Sequence, residues 1–141
     1  MKKIRIVLER VQILDDKDPW LFGNGEFVFT TEVALDGDPV RGGRWRIPEK
    51  GHLSISDKPG RNAVTLDQAI FEGCVQAGEL MDIKILATDL DHFTDDDEAK
   101  RYHRTFAGDP ATWVGSYRPN DEAADPESLR DWQLWYRIEE V

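Results

Sequence analysis

The chain predicts an antiparallel β-sandwich, on three observations. Apolar and polar residues alternate at period two in several separate runs, turn-forming residues fall between those runs, and 141 residues are enough to close one core. Hydrophobic residues make up 40% of the chain and aromatics 10%, which excludes a disordered segment even though 33% of residues are charged. About eight strands in a single domain over residues 1–141 are expected, with short helices in the loops.

The elements follow in chain order. Ile4, Ile6 and Leu8 share one parity while Val11 and Ile13 take the other, so the first strand requires a bulge near Glu9 and Arg10. Phe27, Phe29, Thr31, Val33 and Leu35 form the apolar face of a second strand. Shorter strands are read at RWRI (44–47), HLSIS (52–56) and around Val64. Met81, Ile83, Ile85 and Ala87 mark another strand, TWVGSY (112–117) a short one, and Trp132, Leu134, Tyr136 and Ile138 the last. The turn signals GNG at 23, DGDP at 36, GG at 42, KPG at 58 and AGDP at 107 punctuate these runs. Three helices are expected. TLDQAIFEG carries a capping box of Thr65 with Gln68 and closes on Gly73, DDDEAKRYHRTF begins on Asp96 or Asp97, and DPESLRDW has Asp125 as cap with Pro126 at the first helical position.

Charge narrows the function. The net charge of -10 disfavours nucleic acid and would repel an anionic bilayer unless a cation intervened. The opening MKKIRIVLERVQ is broken by Arg5, Glu9 and Arg10, so neither a signal peptide nor a membrane span is expected there. A cytoplasmic protein, or one peripheral to a membrane, is the expectation. Cys74 is the single cysteine, which rules out an internal disulfide; it reads as a small core residue.

The acid is concentrated in two places. Asp15, Asp16 and Asp18 crowd ILDDKDPW, and Asp89, Asp91, Asp95, Asp96, Asp97 and Glu98 crowd a second cluster that follows the strand at 81–87. Each cluster terminates a strand. If those strands run the same way up a sandwich, both clusters meet at one end, where unneutralised carboxylates would repel by roughly 1 to 4 kcal/mol per pair. A hard cation with six to eight oxygen ligands suits such a cluster, and Ca2+ suits it best. An EF-hand is excluded, because a loop counted from Asp89 has Thr94 at its sixth position and Lys100 at its twelfth. Zinc would call for His or Cys, and only His92 lies in the cluster.

These residues resemble those of a C2 domain. DLDHFTDDD gives Asp89, Asp91, Phe93, Thr94 and Asp97 in the order of that family's third top loop, and DPW at 18–20 is similar to the end of its first. The resemblance implies a calcium-binding sandwich in which Asp18, Asp89 and Asp91 bridge ions, and Asp97 with Asp15 or Asp16 completes the set. Thr94 or backbone carbonyls would fill vacancies, and Asp95, Asp96 and Glu98 would set the local field. Two departures stand out: the first-loop aspartates are almost adjacent, and WLFGNG intervenes before the next strand, which brings Glu26 into consideration as a ligand. The resemblance further implies docking on anionic phospholipid, with Phe93 and Trp20 as membrane-contact residues. Burying a large apolar side chain contributes roughly 1.5 to 3 kcal/mol.

Residues 41–61 carry Arg41, Arg44, Arg46, Lys50, Lys58 and Arg61 against Glu49 and Asp57, with Arg44 and Arg46 on one strand face. They loosely resemble the basic strand surface some C2 domains turn to anionic headgroups; pairing with the chain's own acid is the other reading. Catalysis is not expected. His52, His92 and His103 are scattered, Cys74 has no evident base, and nothing marks a carboxyl group of raised pKa. Three functional classes therefore stand: a calcium-dependent membrane-docking module, a calcium-stabilised structural or protein-binding domain, and a carboxylate-based metallohydrolase.

Overall fold

A computed structural model describes residues 1–14, 25–55, 60–89, 100–119 and 132–141. Nine strands lie among them: β1 (Lys2–Ile13), β2 (Gly25–Leu35), β3 (Asp38–Ile47), β4 (Leu53–Ile55), β5 (Ala63–Val75), β6 (Met81–Asp89), β7 (Lys100–Phe106), β8 (Gly115–Tyr117) and β9 (Trp132–Glu140). They form two antiparallel sheets. The first has the order β5-β1-β9-β8, and the second β3-β2-β6-β7 with β4 also on β2.

Alternation dictates what is buried. Ile4, Ile6, Leu8, Val11 and Ile13 of β1 and Trp132, Leu134, Tyr136 and Ile138 of β9 are at most 1% exposed. They face Phe29, Val33, Ile83 and Ile85 of the second sheet within one apolar cluster. Aromatic contacts span the interior: Phe29 and Trp132 lie 6.1 Å apart, Phe106 meets Tyr117 edge-on at 5.3 Å, and the Tyr102 and Tyr136 hydroxyls are 2.8 Å apart. The parity switch in β1 is a bulge. Leu8 pairs with Tyr136 and Arg10 with Trp135, which leaves Glu9 as the extra residue.

Several expectations need correction. The segment TLDQAIFEG is part of β5, because ten residue pairs with β1 and the burial of Ile70, Phe71 and Val75 outweigh a local capping signature. The described part of DDDEAKRYHRTF is β7. Its apolar residues Tyr102 and Phe106 are four apart, a spacing that shares a face in a helix and in a strand alike, and pairing with β6 decides between them. The third expected helix lies outside the described residues, apart from Trp132, which opens β9. TWVGSY divides into a 3-10 turn, Pro110–Trp113, capped by Asp109, and the strand β8. Cys74 is exposed on an outward position of β5, opposite Lys3.

Two turn signals had different outcomes. Asp36 and Gly37 join β2 to β3 with φ of 51° and 78°, the two positive values that a two-residue hairpin turn demands. Gly42 and Gly43 lie within β3, where the register jumps between Val33 and Leu35. A Cβ on Gly42 would sit 1.7 Å from the Val33 carbonyl oxygen, so the bulged strand can lie there only without a side chain.

The outer face of the first sheet is laced with ion pairs. Arg5 reaches Glu72 at 2.5 Å and Glu139 at 3.1 Å, while Arg137 reaches Glu139 at 3.2 Å, Glu9 at 3.5 Å and Asp67 at 3.7 Å. The Glu139 carboxyl is held below its ordinary value by its hydrogen bond from Arg137 and then by that from Arg5.

Two substitutions test this packing by urea denaturation. Gly42→Ala should lower stability by at least about 2 kcal/mol, because the backbone of β2 must move. Thr31→Val should leave stability unchanged or raise it by up to about 1 kcal/mol, since the buried Thr31 hydroxyl has no hydrogen-bond partner among the described residues.

Candidate functional site: the pole at which β1 and β6 end

Strand direction fixes where the acidic segments begin. Ile13, the last residue of β1, pairs with Trp132, and Asp89, the last of β6, pairs with Phe27. Phe29, two residues into β2 from Phe27, packs on Trp132 at 6.1 Å. The end of β1 and the end of β6 are therefore at the same pole, with the start of β2 between β4 and β6 there. Phe106, paired with Met81, and Tyr117, paired with Tyr136, meet toward the other end.

Of the predicted metal ligands, Asp89 is the last residue of β6. Asp15, Asp16, Asp18, Asp91 and Asp97 lie outside the described residues, as do Trp20 and Phe93. Glu26 is at this pole as the second residue of β2, and its carboxylate is 3.6 Å from His52 Nε2. Among the described residues no group of three or more His, Cys, Asp or Glu is placed to hold a metal.

Two of the three β3 arginines are answered by acid of the same chain. Arg44 pairs with Glu32 at 3.1 Å, directly across from it in β2, and Arg46 donates to the carbonyls of Pro48 and Gly51. Arg41 lies 2.7 Å from Glu79 as a charge pair without hydrogen-bond alignment. Arg44 and Arg46 do share a face, beside Trp45, at an open groove of about 550 Å³. Lys58 lies outside the described residues.

A polar cluster that the sequence reading did not single out lies on the same sheet face. Asp82 Oδ1 accepts from Thr105 at 2.5 Å and is 3.0 Å from His103 Nε2. Pairing of β6 with β7 brings these residues together: Asp82 opposes Thr105, and Lys84 opposes His103. The Thr105 hydrogen bond, opposed in part by desolvation and assisted by His103 and Lys84, holds the Asp82 carboxyl below its ordinary value. With Lys84 and His103 exposed, the group stands on an open sheet face.

No protein-family model matches the chain, and no curated protein matches it either. Among the described residues no helix is long and apolar enough to cross a membrane.

The Asp82 cluster yields a pH prediction. Its folded-state value lies below the unfolded one, so its stabilisation is fully present above the ordinary carboxylate range and fades as pH falls through the folded value. Thr105→Val should raise the Asp82 titration midpoint measured by carbon-detected NMR, and acid unfolding should begin at higher pH. An unmoved midpoint would assign the shift to another contact.

Proposed function

We propose that this chain is a calcium-binding module resembling a C2 domain, with Asp15, Asp16 and Asp18 on one segment and Asp89, Asp91 and Asp97 on the other as the Ca2+ ligands. The observation that supports it is directional: β1 and β6 belong to different sheets, yet both end at one pole, each immediately before an acidic segment. Carboxylates from two such segments match the six to eight hard oxygens that Ca2+ takes. Binding the cation removes their mutual repulsion, and anionic phospholipid headgroups could then complete its coordination while Phe93 and Trp20 enter the lipid interface.

A second reading keeps the calcium and omits the lipid. It is favoured by the β3 arginines, since Arg41 and Arg44 are paired with Glu79 and Glu32 and Arg46 is committed to two carbonyls. In that reading the ion stabilises the fold or a protein contact. No catalytic role is proposed under either.

Thermal melts separate calcium binding from its absence. Saturation at about 100 times Kd is worth about 2.7 kcal/mol, so millimolar Ca2+ should raise Tm by several degrees over EDTA, and Asp91→Asn should remove most of the rise. Coincident melts would end the proposal. Co-sedimentation with vesicles containing phosphatidylserine then divides the two readings: Ca2+-dependent pelleting supports membrane docking, and its absence in a protein that does bind Ca2+ supports the second.

A further inference from the structure

The outer face of the first sheet also carries a group that is independent of the acidic pole. Because Glu9 is the extra residue of the bulge, Arg10 stands opposite Trp135. The guanidinium carbon of Arg10 is 4.8 Å from a Trp135 ring centroid, and that of Arg118, just after β8, is 5.5 Å from it. Arg118 also donates to Gln133 at 3.1 Å. Both arginines are exposed, while Trp135 is half-buried.

What sets the pair apart is that one ring serves both cations. Arg5, Arg41, Arg44 and Arg137 each lie against a carboxylate, in a chain with ten more acidic than basic residues. Among the described residues Arg10 and Arg118 have no carboxylate partner, and they share one aromatic ring. Arg10 on β1 and Arg118 just after β8 come from the two strands that flank β9, so two positive charges converge on one side chain, a concentration that an anion would relieve.

We propose that Arg10 and Arg118, on their common Trp135 platform, bind a phosphate monoester group. Stacking engages the face of a guanidinium and leaves its N–H edges available to donate in the plane. A phosphate monoester brings nearly two negative charges and three terminal oxygens, enough for two guanidinium groups at once; a carboxylate has two oxygens, which a single fork satisfies. The bulge selects this chemistry. Without the extra residue, Glu9 would occupy the position opposite Trp135 and put a negative charge beside Arg118.

The test follows the Trp135 indole N–H and the Arg10 and Arg118 Nε–H signals by NMR of the full chain. Glycerol phosphate and a short phosphoserine peptide are titrated separately against sodium chloride of matched ionic strength. Saturable shifts are expected, with affinity about tenfold weaker in Arg10→Gln and in Arg118→Gln, and weakened also in Arg118→Lys, which keeps the charge and loses the fork. Saturation by both probes assigns a free phosphate group as sufficient, and saturation by the peptide alone assigns a protein-borne phosphate. Shifts that merely follow ionic strength would overturn the proposal, as would affinity unchanged in Arg118→Gln, a position outside the strand pairing and so safe for the fold.

Discussion

Everything in this molecule depends on β1. It is hydrogen-bonded on both sides, to β5 and β9, and it supplies Ile4, Ile6, Leu8, Val11 and Ile13 to the interior. A strand in that position must keep both its pairing and its inward face along its whole length. Twelve residues of strict alternation would turn Val11 and Ile13 outward; one extra residue at Glu9 restores them, with a register shift between Leu8 and Arg10 in both ladders. The same residue settles what the outer face presents, since Arg10 gains Trp135 while Glu9 falls to Arg137.

The interior then links the two sheets through a chain of rings rather than through aliphatic contact alone. Trp132 rests on Phe29 near one pole, the Tyr102 and Tyr136 hydroxyls meet in the middle, and Phe106 packs against Tyr117 and Trp113 toward the other end. Rings at successive levels fix how far one sheet can slide over the other. That is why the ends of β1 and β6 are held at a common pole although, among the described residues, no strand pairing joins their sheets.

Much of this was legible from residue order. Alternation located β2, β6 and β9 and the residues they bury, and the change of parity between Leu8 and Val11 located the bulge. The failures share a cause. Tyr102 and Phe106 have a spacing that a helix and a strand both satisfy, Thr65 with Gln68 forms a local helix-cap signature inside a strand, and in both cases only partners elsewhere in the chain decide. Gly42 and Gly43 resembled a turn, yet Gly42 answers to the closeness of Val33 on the neighbouring strand. At the candidate site the density of acid and the strands leading to it could be read directly. Groupings across strands could not: Asp82 and Thr105 are 23 positions apart, and register alone brings them together.

The ion-pair lacework on the first sheet bears on how these molecules meet one another. A second flat surface laid against it would have to strip water from Arg5, Arg137, Glu72 and Glu139 together, for charges that already have partners. Such a face offers little reward for stacking. The outer face to which the long strand β5 contributes is thereby shielded from stacking face to face on another sheet.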